Sequence, residues 1–255
     1  MPGPWKFTIP TVEVRHAVGA DGARAAEGVV VVVDVLRAFT LSAYALAGGA
    51  RECLLVRTVD DARRLGAATE GSLLSAEVDT LPVEGIAISN SPTQISHEEL
   101  GGRAVVQRTS AGTQAINAVE GAVAIYAASL VVAKATAQAC LLRRDRLVTL
   151  VRSADFPEDH ACCQYIESML LGRPARVDEL LEPLRASERY RRFAAGDWPG
   201  FPASDLELAL QADRFEFAMP AVRRRDHVRI VREDPGSGDR RLDSSPRRRV
   251  TRRTT

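Results

Sequence analysis

From Gly28 onward the chain alternates short apolar runs with amphipathic stretches of helical period. VVVVVDVLRAFT is followed by LSAYALAGGA, CLLVRTV by DDARRLGAA, RAVVQRTSAGT by QAINAVEGA, VAIYAASL by VVAKATAQACLLRRD, and RLVTLVRSAD by PEDHACCQYIESMLLG, with SLLSAEV as a further run. Short β-branched runs that give way to about ten to fifteen residues of period 3.6 are the mark of βα units. A series of them predicts an α/β fold: a mainly parallel sheet with helices on both faces, in a three-layer α/β/α arrangement. The caps agree. Thr58 stands three residues ahead of Asp61 as an N-cap would, and Gly48 and Gly49 close the first helix where a left-handed residue is wanted. After Gly172 the pattern changes to VDELLEPLRAS, SERYRRFAAG and SDLELALQADRF, separated by Pro and Gly, which reads as a helical C-terminal part packed on the sheet. From Glu233 large apolar residues almost vanish. Residues 233–255 are therefore read as a disordered Arg-rich tail, and 1–232 as the folded α/β domain, with room for two subdomains.

Composition narrows the function. A chain of 255 residues with 45% hydrophobic and 26% charged residues has the balance of a globular protein. Aromatics at 5% argue against a reader of single-stranded nucleic acid built on stacking platforms. The longest apolar run falls far short of the roughly 20 residues of a membrane-spanning helix. The N-terminus lacks a basic segment followed by an apolar stretch, so a cytoplasmic location is expected. Four cysteines, Cys53, Cys140, Cys162 and Cys163, form no CxxC pair and are read as buried free thiols. Ser244–Thr255 holds five arginines and no acid; removing those charges from the formal +1 leaves an acidic body of −4.

In open α/β sheets ligands bind beyond the carboxyl ends of the strands. Here one strand ends in Asp34, Leu36 and Arg37, another at Glu77 near Asp79, another in Arg108, Thr109 and Ser110, and the last at Ser153 and Asp155, ahead of Glu158, Asp159 and His160. Carboxylates gathered at one edge repel one another unless a cation lies between them, and a hard divalent ion such as Mg²⁺ answers that need. Thr109–Thr113 offers hydroxyls, the small Gly112 and free N–H groups, the ingredients of an anion cradle and equally of an ordinary helix N-cap. Asp34 and Arg37 can likewise serve as a buried structural ion pair, and Asn90-Ser91-Pro92 as a turn. His160 stands as a further candidate ligand or acid/base group. No Walker loop, GxGxxG or GxSxG motif is present.

DVLRAFT at Asp34–Thr40 leads to ALAGGA at Ala45–Ala50, then Ala76-Glu77, Ser89-Asn90-Ser91-Pro92, Thr109–Thr113, and Glu158-Asp159 before a Cys-containing helix. In that order, across Val29–Leu171, they resemble the 2-phosphosulfolactate phosphatase family, whose archaeal members act in coenzyme M biosynthesis. The matching family pieces are DVLRATT, ALANGA, Gly-Glu, Gly-Asn-Ser-Pro, Thr-Thr-Asn-Gly-Thr and Glu-Asp. The resemblance implies a Mg²⁺-dependent phosphatase that cleaves the phosphate ester of a small 2-phospho-carboxylic acid, 2-phosphosulfolactate or a related phospho-hydroxy acid. It implies catalytic roles for Asp34, Arg37, Glu158 and Asp159. Metal ligands would come from Asp34, Glu77, Glu158 and Asp159. Substrate would be bound by Arg37, Asn90, Ser91, Thr109, Ser110, Gly112 and Thr113. A second anionic group on the substrate would be met by Arg37, Arg108 or Arg152. The partners expected are that small anionic substrate and, compatibly with the class, further copies of the chain; no membrane is expected, and nucleic acid only through the basic tail. The chain departs from the pattern at Ala76 and Ser89, which replace glycines, and at Ala111 and Val131–Val132, where the family carries Asn. The alternative reading is therefore a catalytically weakened phospho-metabolite-binding protein of the same fold.

Overall fold

A computed structural model describes residues 12–234. Ten strands form one sheet: β1 (Glu13–Val18), β2 (Gly28–Val33), β3 (Glu52–Val56), β4 (Leu73–Val78), β5 (Leu81–Pro82), β6 (Ala104–Arg108), β7 (Ala122–Ala128), β8 (Leu147–Arg152), β9 (Met219–Arg223) and β10 (Val228–Ile230). Their spatial order is β1-β8-β2-β7-β9-β10-β3-β6-β4-β5. β1, β8, β2 and β7 run parallel, as do β3, β6 and β4. The antiparallel hairpin β9–β10 joins the two parallel groups, pairing with β7 on one side and β3 on the other. The expected α/β class and mainly parallel sheet are thus present.

The helices pack according to the alternation of the strands. Inward residues Val30 and Val32 of β2, Leu55 of β3 and Val105 of β6 share one core with α2 (Ala38–Ala47) and α5 (Gly112–Ala118). The opposite face of β2, Val29, Val31 and Val33, packs on α6 (Ala133–Arg143) and α7 (Pro157–Leu170) through Cys140, Cys162 and Ile166. Leu54, Val56 and Val106 pack on α3 (Val59–Ala68) through Ala62. The two parallel groups therefore enclose α2 and α5 between them.

That arrangement explains how strand ends from both groups meet. The ladder reverses the second group relative to the first, and in a flat sheet their carboxyl ends would lie at opposite edges. Five interfaces separate β2 from β6, and a twist of about 20–25° at each accumulates to about 100–125°. The second group is thereby turned back toward the first. The start of α5, which follows β6, lies directly against Asp34, which follows β2.

Local signals read from the sequence hold. The Thr58 hydroxyl accepts from Asp61 N at 3.0 Å, and Gly49 adopts φ +97° at the end of α2. All four cysteines are free and buried. The helical C-terminal part comprises α8 (Val177–Leu180), α9 (Glu182–Arg185), α10 (Glu188–Ala195) and α11 (Ala203–Ala209). The hairpin that follows was not legible, because β10 is three residues long and β9 contains Pro220, so neither displays a period. Glu233, read as the first tail residue, is hydrogen-bonded in a bridge to Ala218; residues 235–255 lie outside the described residues. No helix among the described residues is long and apolar enough to cross a membrane.

Candidate active site

The sheet delivers the acidic residues to one edge. Asp34 leaves β2 with its backbone N still donating to Ala128 O of β7. Its Oδ1 accepts from Ala38 N at 2.9 Å at the start of α2, and the Ser153 hydroxyl lies 3.0 Å from its Oδ2. α7 begins with Pro157, whose missing N–H costs nothing at that position, and places Glu158 and Asp159 in its first turn, where the helix dipole favours acids. Asp159 Oδ1 accepts from Val35 N at 2.8 Å, and its Oδ2 lies 3.0 Å from the same Ser153 hydroxyl. One hydroxyl proton cannot serve two carboxylates. Ser153 donates to one and accepts from the other only when that other carboxyl is protonated. The electrostatics agree. Burial, with the charges of Glu77 and Glu158 adding to it, raises the Asp34 carboxyl to about 6, and burial with the charges of Asp34 and Glu158 raises Asp159 well above the usual range.

Glu158 is fully buried. Its Oε1 accepts from Arg189 Nε at 2.9 Å, while Oε2 has no partner among the described residues. Burial pushes its carboxyl up, against the opposing pull of Arg189. The Arg189 guanidinium is itself stacked on the Phe156 ring at 3.7 Å, so α10 reaches back over the start of α7.

Glu77, at the end of β4, sits in a different corner. Its Oε1 accepts from Ser110 N at 2.5 Å, and its Oε2 from Thr80 N at 2.6 Å and the Ser110 hydroxyl at 3.1 Å. The Arg108 guanidinium donates to the Glu77 carbonyl and, at 3.2 Å, to the Ser110 oxygen. Thr109 and Thr113 cap one another: Thr109 N donates to Thr113 Oγ1 at 2.8 Å and Thr113 N to Thr109 Oγ1 at 3.0 Å. Gly112 is small for a reason other than an anion's approach, since a Cβ there would lie 2.6 Å from Asp34 Oδ2 and 2.7 Å from Ala38 Cβ. Asn90, at φ +59°, accepts from Gln107 Nε2 at 3.0 Å.

Arg37 pairs with a residue that sequence reasoning did not single out. Its guanidinium donates to Asp205 Oδ2 at 2.7 Å and to Gly200 O at 2.7 Å, with the Phe201 ring 3.9 Å from its centre. Asp205 Oδ1 in turn accepts from the Ser91 hydroxyl at 2.6 Å and Thr93 N at 2.9 Å. The structural partner of Arg37 is thus Asp205, not Asp34. Neither Asp205 nor Arg189 carried a signal, because each sits in a helical run whose charges look like those of a solvated face. His160 is exposed and meets Arg152 Nη1 at 2.7 Å. An open groove of about 630 Å³ lined by Thr93, His97, Trp198 and Phe201 contains none of the acidic residues above.

The four carboxylates expected to bind metal do not form one ligand cluster: among the described residues no three acids, histidines or cysteines converge on a common point. Glu77 is occupied with Thr80 and Ser110. Asp34 and Asp159, joined through Ser153, remain as a pair of hard oxygen donors, and the unpartnered Glu158 Oε2 is a third oxygen of the same kind. Mg²⁺ is commonly held by one or two carboxylates, with waters and substrate phosphate completing its shell, so the donor set fits that ion.

Fold and site together define an α/β protein whose buried acidic pair lies at converging strand ends, flanked by the Ser153 hydroxyl and by Glu158 with Arg189 brought from the C-terminal helix α10. The family model described as 2-phosphosulpholactate phosphatase matches residues 18–219, and the chain belongs to that family, among the phosphoric monoester hydrolases. A "probable 2-phosphosulfolactate phosphatase" of Bacillus subtilis is 29% identical over 193 residues, covering 74% of this chain and 85% of that protein. One of the same name from Clostridium acetobutylicum is 28% identical over 212 residues, 79% of this chain and 87% of that protein. Another from Deinococcus radiodurans is 36% identical over 124 residues, 48% of this chain and 52% of that protein.

Proposed function

We propose that the chain is a Mg²⁺-dependent phosphatase of a small 2-phospho-carboxylic acid, 2-phosphosulfolactate or a related phospho-hydroxy acid of the cytoplasm. The observation that carries this reading is the Ser153 hydroxyl held between two buried carboxylates, Asp34 and Asp159, in a member of that family. Mg²⁺, held by Asp34 and Asp159, would supply charge neutralisation of the phosphoryl oxygens and polarisation of phosphorus.

The chain's own residues do the rest. Ser153 fixes the orientation of the acidic pair, and Val35 N and Ala38 N hold one oxygen of each carboxylate. Glu158 has a free Oε2 and an elevated proton affinity, the combination that suits a base toward the attacking water. As the water oxygen bonds to phosphorus, its proton passes to Glu158; the ester P–O bond breaks on the opposite side, and the departing alkoxide takes a proton from solvent. Arg189, on the other oxygen of Glu158, keeps that side chain in place. Arg108, bonded to the Ser110 oxygen, would be the cation for the substrate's second anionic group.

The test is phosphate release by the purified chain from 2-phosphosulfolactate and a panel of phospho-hydroxy acids, in Mg²⁺ and in EDTA. Release that requires Mg²⁺ and falls at least about 100-fold in Glu158→Gln is the expected result. Full turnover in that variant, or release unaffected by EDTA, would reject the assignment. A second reading rests on Ala111, which caps α5 without any side-chain bond, and on Val132, buried in the core where the family pattern has a polar amide. Binding of a phospho-acid with no turnover of any would support this alternative, a binding protein of the same fold.

A further inference from the structure

We infer that the Ser129 hydroxyl donates a hydrogen bond to a phosphoryl oxygen of the substrate; the inference rests on the phosphatase reading and adds a contact to it. Ser129 follows β7 with an extended backbone, φ −143° and ψ 177°, so the alternation of the strand continues through it. Ala127 faces the inner core with α2, Ala128 the outer one, and Ser129 returns to the inner side. On the neighbouring strand Val33 pairs with Ala128, which sets Asp34 beside Ser129; on the next, Arg152 pairs with Val33, which sets Ser153 beside Asp34. Ser153, Asp34 and Ser129 thus form a row across three adjacent strands, each about 4.8 Å from the next, on the face from which Asp34 meets the start of α2.

The first two members of the row are bonded to each other at 3.0 Å. The third has no partner, although Ser129 is completely buried. Among the described residues only three buried side-chain polar atoms lack one: Ser129 Oγ, Glu158 Oε2 and Arg152 Nε. All three belong to residues at the carboxyl ends of β7 and β8 or in the first turn of α7, the edge at which the acidic pair lies. Unsatisfied buried groups are uncommon in folded proteins, and their gathering at one edge marks a place where a polar ligand completes the bonding. The chemistry of the three atoms differs usefully. Glu158 Oε2 is an acceptor for water or cation, whereas the Ser129 hydroxyl carries a proton to donate. The oxygens of Asp34 already accept from Ala38 N and meet Ser153, so the Ser129 proton is available to an incoming anionic oxygen.

The experiment measures inorganic phosphate binding by calorimetry in the presence of Mg²⁺ for the wild-type chain, Ser129→Ala and Ser129→Cys, with Mg²⁺ binding measured separately without phosphate. Phosphate affinity is expected to fall about 10- to 100-fold in both variants, with Mg²⁺ affinity unchanged and the Tm of the free protein equal to or above that of wild type. Unchanged phosphate affinity in the variants overturns the inference and leaves the phosphatase reading standing. A loss of Mg²⁺ affinity instead, or a failure of both variants to fold, overturns it by making the hydroxyl a cation ligand or a packing element. A wild-type chain that neither binds nor releases phosphate overturns the phosphatase reading and this inference with it.

Discussion

At the scale of single residues, the ends of apolar runs carry the buried acids of the candidate site. Asp34, Glu158 and Asp159 were legible because acids that interrupt or follow a buried strand have little reason to be there except function or pairing. What burial does to them was not legible, since it depends on what packs over the strand ends. The Asp34 carboxyl is held at about 6, against about 3.9 for a free side chain. A raised acid binds its proton more tightly in the folded state. The stability associated with that proton is therefore present below about pH 4 and is lost as pH rises to 6 and beyond. In EDTA, Asp34→Asn should accordingly be more stable than wild type at pH 7.5, by on the order of 2–3 kcal/mol, with the gap closing as the pH approaches 4. Urea unfolding at a series of pH values measures it; a gap that does not vary with pH would mean that the carboxyl ionises without cost. Gly112 makes the complementary point. The sequence offered it as room for an anion, whereas the space is filled by Asp34 itself.

At the scale of elements, helix caps and βα alternation were read correctly because they depend on neighbours a few residues away. Contacts made by the C-terminal helices were not, because a charge on an amphipathic helix looks the same whether it faces water or a buried partner. Asp205 ties α11 to Arg37 ahead of α2 and to Ser91 and Thr93 of the α4 segment (α4, Pro92–Ser96). Both members of the Arg37–Asp205 pair are almost wholly buried. Removing one charge leaves the other uncompensated, so Asp205→Ala is expected to cost about 3–5 kcal/mol. Turnover should fall with it, because Arg37 and the Ser91 turn lose their common anchor. Chemical denaturation together with phosphate-release kinetics tests this, and a variant of wild-type stability would show that the pair is dispensable.

At the scale of the whole molecule, the decisive feature is the β9–β10 hairpin, which holds the two parallel groups in one sheet and contributes Met219, Ala221, Val228 and Ile230 to the shared core. A chain ended at residue 217 should lose its cooperative unfolding transition, since β7 and β3 would each gain an open edge and the common core would lose one wall. A chain ended at residue 234 should keep both transition and turnover; calorimetry of the two distinguishes them. The sequence by itself determined the α/β class, the sites of caps and free thiols, the family motifs and the identity of the acidic residues, because periodicity and motif order are properties of neighbouring positions along the chain. Only the tertiary structure decided which acids meet. Glu77 is drawn away by Thr80 and Ser110, Asp34 and Asp159 are joined through Ser153, Arg37 is given to Asp205, and Ser129 is set in the row beside Asp34. The longer-range of these pairings follow from sheet twist and strand order, which bring Asp34 to Ser153 across 119 positions and Arg37 to Asp205 across 168 and leave no mark on either local segment.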